Sequence, residues 1–244
     1  INVSNIEYKD CDDVTEVVFD GTVSSIGNNS FKNSGVVNVT FQDAVTSIGI
    51  GAFRDTSSLQ EVTFQGTVGS IDNNAFKDSG VEKVTFQDTV SSIGKNVFRG
   101  SDVVTVTFKD AVTSMGKNAF RSTSSLQEVT FQGTVGDIGI FAFRRSGVVN
   151  VTFKDAVTSI SRASFSATHS LQEVTFQGTV GSIGEYVFFN SSVVNVAFQG
   201  AVTSIGDDSF HGSRLLQEVT FQDTVGFIGI NAFMNAGVVN VTFQ

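Results

Sequence analysis

The chain predicts a repeat solenoid of about ten coils, each 22 or 23 residues long, with a parallel β-sheet on one face and turns, short strand or 3₁₀ pieces on the other. Three observations carry this prediction. Phenylalanine recurs in a first column at Phe19, Phe41, Phe64, Phe86, Phe108, Phe131, Phe153, Phe176, Phe198, Phe221 and Phe243, and in a second column 12 residues further on, from Phe31 and Phe53 to Phe210 and Phe233. Of the 24 phenylalanines only Phe141, Phe189 and Phe227 stand outside these columns, so the aromatic content is structural. With the first Phe of each coil numbered zero, apolar residues return at −5, −2, 0, +4, +7 and +12, for example Leu59, Val62, Phe64, Val68, Ile71 and Phe76.

Each element follows from these offsets. Positions −2 and 0 lie on one side of an extended segment while −3, −1 and +1 lie on the other, the period-two pattern of a strand buried on one face. Glu61, Thr63 and Gln65 are therefore expected to be exposed. The steps from 0 to +4, +7 and +12 fit neither strand alternation nor a long helix, which predicts turns, short strand and 3₁₀ pieces for that leg. Glycine at +8, as in Gly49, Gly94 and Gly116, marks a corner that needs positive φ or a close backbone approach. In the second corner, coils of two lengths alternate for most of the chain, as Asp55-Thr56-Ser57-Ser58-Leu59 against Asn33-Ser34-Gly35-Val36. A duplicated two-coil unit accounts for that alternation. Residues 1–13 read as a partial coil or cap, and 14–244 as the solenoid.

Stretches such as Val45-Thr46-Ser47-Ile48-Gly49-Ile50-Gly51-Ala52-Phe53, preceded by Val39-Thr40-Phe41, resemble the BspA-like leucine-rich repeat with its V-T-S-I-G-x-x-A-F core. The resemblance runs from about Val14 to Gln244 and implies a right-handed leucine-rich-repeat superhelix. That family usually has Ile or Leu where this chain has the Phe column, a Pro just after it, and a Cys three residues past A-F. Here those positions hold Phe, Gln or Lys, and small residues such as Ser34, Thr56 and Ala236, in a chain with no proline. Members are typically secreted or at the cell surface and implicated in adhesion and protein binding, which the resemblance extends to this chain as an expectation.

The exposed strand face is as regular as the core. Position −1 is Thr in every coil but two (Val18 and Ala197), +1 is mostly Gln, and −3 alternates between Glu and Asn in much of the chain. The candidate contact residues are Glu61, Thr63, Gln65, Glu128, Thr130, Gln132, Glu173, Thr175 and Gln177. Three readings fit this ladder: sheet stabilisation copied by duplication, a face that binds protein or glycan, and a Thr array matched to an ordered lattice such as ice. The last strand, with Val241 and Phe243, stops without a polar cap, so a fragment or an end-to-end stack into a filament or coat is expected there.

Other chemistry has little support. His169 and His211 sit at non-equivalent offsets with no triad or metal spacing. Asp10, Asp12 and Asp13 lack the glycine turn and distal Glu of a calcium loop, and together with Glu7 and Tyr8 read as a solvated cap; Cys11 is the single cysteine. The Gly49-x-Gly51 pair lacks the remaining features of a nucleotide loop. Neither an enzyme nor a cofactor is expected. The net charge of −9 and the absence of any basic stripe along the chain argue against nucleic acid. No apolar run is long enough to insert in a membrane. Asn190 and Asn28 are the better candidates for N-glycosylation among six sequons. The expected function is contact with protein, glycan or a second copy of the chain, outside the cell or on its surface, with the filament as the main alternative.

Overall fold

The computed structural model describes residues 2–3 and 9–244 and builds each coil from two strands joined by two corners. One eleven-stranded sheet runs from Glu16–Phe19 to Asn240–Phe243, and a second eleven-stranded sheet from Asn2–Val3 to Val225–Ile228. The chain visits the sheets alternately, so every strand pairs with the equivalent strand of the coil before and after it. All pairings are parallel and like sits on like: Glu61 lies beside Lys83, Val62 beside Val84, Thr63 beside Thr85 and Phe64 beside Phe86. A parallel pair normally needs a long crossover, and here the other leg of the coil is that crossover.

This register turns each column of the sequence into a physical stack. Ring centroids in the first Phe column lie 4.7 Å apart at Phe19–Phe41 and 5.1 Å apart at Phe221–Phe243, with interplanar angles of 5° and 12°. The second column behaves alike, from 4.8 Å at Phe31–Phe53 to 5.5 Å at Phe165–Phe188. These separations are those of offset stacking, the favourable arrangement for quadrupolar rings. Most of the rings have no solvent exposure, as do Leu59, Val62 and Ile71 around them, so one unbroken apolar core runs the length of the rod.

The second leg takes the short-strand form of its expectation. Residues +4 to +7 form full strands, as in Val45–Ile48 and Val68–Ile71, and no 3₁₀ segment occurs among the described residues. Val45 and Ile48 both point inward although they are three apart, because the register skips the residue after Val45 in every coil: Val45 pairs with Val68, Ser47 with Ser70 and Ile48 with Ile71. A bend repeated in register in every strand acts like a stacked bulge and breaks the period-two pattern that strand recognition relies on.

The corners separate two roles that the sequence leaves open. Gly49 has no positive φ; a Cβ there would come 2.7 Å from the Ile26 carbonyl oxygen of the preceding coil, so the glycine answers close approach alone. Positive φ falls instead at +10 and +14: Asn29, Gly51, Asn74, Asn96 and Asn118 at the first position, and Asn33, Asp55, Asp78 and Gly100 at the second. Asn, Asp and Gly tolerate this left-handed region best. The small residues three past the second Phe are buried hydroxyls in many coils, with Ser79 donating to the Phe76 carbonyl at 2.8 Å and Thr123 to the Phe120 carbonyl at 2.8 Å.

At the N-terminal side, Asn2–Val3 pairs with Ser25–Ile26, and the Asp10 amide donates to the Lys32 carbonyl at 3.1 Å. Asp10 has φ 54°, the same left-handed corner as Asn33 in the next coil. Glu7 and Tyr8 lie outside the described residues.

Candidate functional site

The strand face and one corner are the surfaces where side chains chosen by something other than the core accumulate. On the strand face the sheet sets the spacing. The three predicted triplets do not converge: Glu61 and Glu128 are three strands apart and Glu128 and Glu173 two, or about 14 Å and about 10 Å at sheet spacing. Gln65, Gln132 and Gln177 are exposed, as are Glu128 and Glu173. Glu61, Thr63, Thr130 and Thr175 are only half-exposed, a correction to the expectation of a fully open row, because in-register neighbours about 4.8 Å away cover each side chain from both sides.

Hydrogen bonding further divides this face. Thr130 donates to Glu128 at 3.1 Å, Thr175 to Glu173 at 3.2 Å, and Thr63 to Glu61 at 3.5 Å, two residues back on the same strand. The alternation at −3 keeps carboxylates apart: Glu128 lies between Thr105 and Asn150, Glu173 between Asn150 and Asn195, and Glu61 between Asn38 and Lys83, whose Nζ is 2.9 Å from its Oε1. Glu beside Glu in register would be destabilising, so this pattern suits the sheet. In the coils with Glu at −3 the Thr hydroxyl is turned to that carboxylate and in the others it is not, so the row lacks the uniform hydroxyl geometry that suits an ordered lattice.

Both candidate glycosylation residues meet backbone demands. Asn28 Oδ1 accepts from the Ile50 amide at 2.8 Å, and Asn190 sits at the left-handed +14 position with φ 51°. Val241 and Phe243 are 40% and 61% exposed at the end of the last strand. A further coil and a second copy would cover that end equally well, so it carries no argument about assembly.

The corner was missed. Read along the chain there is no basic run, yet the coils place Lys32, Arg54, Lys77, Arg99, Arg121 and Arg144 in one column, each directly after the second Phe. The amides of Asp78, Gly100 and Ser122 donate to the carbonyls of Arg99, Arg121 and Arg144 in the next coil, at 3.0 to 3.1 Å. The expectation of no basic stripe is therefore corrected: residues 22 or 23 apart in sequence are one coil apart in space. The signal was available, because the offset +13 is as periodic as the Phe columns.

The two ends of this column differ. Arg54 pairs with Asp55 at 3.2 Å and Lys77 with Asp78 at 2.9 Å. Among the described residues Arg99, Arg121, Arg144 and Arg145 have no carboxylate within ion-pair distance. Burial, then the neighbouring Arg144, Arg99 and Arg145, hold the Arg121 guanidinium below the usual arginine range, and its Nε is buried without a partner.

Beside these arginines the left-handed +10 ladder changes character. Asn118 donates to Asn96 at 3.0 Å and Asn96 to Asn74 at 3.3 Å, but the next coils carry Phe141, Ala163 and Tyr186, with φ 60°, 56° and 57°. The ladder ends on Asn118 Oδ1, which is buried and unpartnered. Phe141, Arg144, Arg162, Ala163, Ser166, Tyr186 and Phe189 line an open cleft of about 250 Å³. Arg144 lies 5.1 Å from the Phe141 ring centroid and Arg162 5.4 Å from that of Tyr186. Tyr186 meets Phe189 edge to face at 5.6 Å. On the far side His211 Nδ1 is 2.8 Å from Asp208 Oδ1, while a hydrogen bond to that Asp208 raises the Tyr186 phenol above its ordinary pKa. Among the described residues no three His, Cys, Asp or Glu side chains converge as a metal site.

The model of the BspA type leucine-rich repeat region matches the chain in six copies, over residues 2–127 and 113–240. Among solved structures, a leucine-rich repeat protein from Eubacterium ventriosum is 17% identical with a TM-score of 0.48, over 98% of this chain and 87% of that one. One from Bacteroides ovatus is 18% identical with a TM-score of 0.37, over 91% and 84%. A leucine rich cell surface protein from Faecalibacterium prausnitzii is 19% identical with a TM-score of 0.36, over 100% and 89%. No curated relative is similar enough in sequence to match.

Proposed function

Because the chain belongs to the BspA-type leucine-rich repeat family, we propose that it is a non-enzymatic adhesion and protein-interaction module, working at the cell surface or outside the cell. It acts by contact through the strand face. The observation that carries this reading is the uncovered sheet from Glu16–Phe19 to Asn240–Phe243, whose outward columns repeat without offset along a rod roughly 50 Å long. A rigid, extended and uncovered surface loses little ordering entropy on binding, which is the advantage solenoids bring to large contacts. Glu128, Gln132, Glu173 and Gln177 supply its exposed polar tips and Thr130 and Thr175 the floor beneath them.

The test is capture on immobilised matrix proteins and glycans. A Glu128→Lys, Gln132→Lys, Glu173→Lys, Gln177→Lys variant should keep the parent circular dichroism and lose capture at least tenfold. Capture retained in full by that folded variant would remove the strand face as the contact surface.

A further inference from the structure

From the corner of the coils at Phe141, Ala163 and Tyr186 we infer that the protein binds an acidic peptide segment of a partner protein, with one aromatic side chain of that segment seated between Phe141 and Tyr186 and its carboxylates on Arg144, Arg145 and Arg121. This site is separate from the strand face and stands without it.

Geometry makes the slot one ring wide. Inside the protein each core column places one aromatic ring per coil, with centroids 4.7 to 5.5 Å apart. Phe141 and Tyr186 occupy the same offset two coils apart, and the coil between them carries Ala163 at that offset and Ser166 beside it. An aromatic ring above Ala163 would continue the stacking period the core already uses. The guanidinium of Arg162 lies over the Tyr186 ring, with its Nε 3.8 Å from Glu185 Oε2, so it lines the slot as half of an ion pair.

The choice of aromatic residues here runs against the backbone. Left-handed φ at +10 favours Asn or Gly, and the coils from Asn74 to Asn118 comply. A Phe at φ 60° and a Tyr at φ 57° each bear a conformational cost that no buried packing recovers, since both rings are only half-buried. Local strain of this kind, next to Arg121, Arg144 and Arg145, which have no carboxylate within ion-pair distance, on a chain of net charge −9, is what a site shaped for an anionic partner looks like.

Three features select a peptide. Phe141, Ala163, Tyr186 and Phe189 line most of the slot, and Ser166 Oγ already donates to the Ala163 carbonyl at 2.9 Å, a lining that suits a flat aromatic ring. Phe141 and Tyr186 stand two coils apart, about 10 Å at sheet spacing, which leaves room between them for one ring and not for a run of stacked nucleic-acid bases. The cationic column ends where Glu185, Asp207 and Asp208 begin, which repels an extended polyanion and suits a short acidic stretch. Aromatic anchors flanked by arginine are the usual energetic centres of protein contacts.

Fluorescence anisotropy with the labelled peptide Asp-Glu-Asp-Tyr-Glu-Asp tests this on the full chain. Binding is expected, weakening as salt rises from about 0.05 M to about 0.5 M as charge pairing is screened. Phe141→Asn with Tyr186→Asn restores the repeat's own corner residue, so the variant folds, and it should weaken the peptide tenfold or more. Arg144→Ser with Arg145→Ser should do the same, and a peptide with Ser in place of Tyr should bind at least tenfold more weakly. The inference is overturned if the peptide does not bind, if the Asn variant binds it as well as the parent, if the Tyr is dispensable, or if oligothymidylate or heparin binds more tightly than the peptide. Capture on matrix proteins reads the strand face and anisotropy reads the corner, so either can fail alone.

Discussion

The strand face and the basic corner are built from the same repeat, yet they carry different information. On the strand face, each residue type follows from what a parallel in-register sheet tolerates: Thr for the pleat, Glu alternating with neutral Asn or Thr so that carboxylates do not stack. At the corner, left-handed φ favours Asn, Asp or Gly; Ser122, Arg145, Ala163 and Ala167 depart from this, and Phe141 and Tyr186 do so with aromatic rings. Regularity is thus explained by the fold, while the aromatic departure from the rule calls for a function. The difference is sharpest between two phenylalanines only 21 residues apart in sequence, Phe120 in the core column and Phe141 at the corner.

Replacing each of these two gives the largest effect. Phe120→Ala should destabilise by about 3–5 kcal/mol, because a fully buried ring leaves a cavity between two stacked neighbours. Phe141→Asn should leave stability unchanged or raise it by up to about 1 kcal/mol as strain is relieved. Urea unfolding reads both, and a Phe141→Asn variant as damaged as Phe120→Ala would make the corner ring a packing residue and erase the comparison.

A smaller effect sharpens the strand side. Thr130→Val loses a hydroxyl that donates to Glu128, whereas Thr107 has Thr105 two residues back and no such bond. Thr130→Val should cost about 0.5–1 kcal/mol more than Thr107→Val. Equal costs would mean that the Glu–Thr bond contributes nothing and that the Glu column is free for other uses.

The smallest concerns Tyr186, one of two tyrosines in the chain. The Asp208 hydrogen bond favours its neutral form, so its contribution to stability is complete below the ordinary phenol pKa of about 10 and is lost as pH rises through the raised folded value. In a spectrophotometric titration Asp208→Asn should lower the later-ionising phenol toward that ordinary value. An unchanged titration would detach Tyr186 from Asp208 and leave the slot wall unanchored.

Much of this was legible in the amino-acid order. Every predicted buried offset from Leu59 to Phe76 is buried, the parallel like-on-like stacking is as expected, and the repeat pattern already indicated the family that its matched model shows. For the second leg, short strand and 3₁₀ were both open in the sequence, because a skipped residue in each strand puts Val45 and Ile48 on the same side, a geometry with no simple period. Glycine at +8 left close approach and left-handed φ both open because each favours a residue without a Cβ, and only backbone angles tell them apart.

The sequence by itself determined the coil, its period and its core, since apolar residues at fixed offsets have one way to be buried together. Only the tertiary structure decided what the surface became. Stacking at about 4.8 Å per coil brings residues 22 or 23 positions apart into contact, and so converts scattered arginines into a column and the small Ala163 into a slot between two rings.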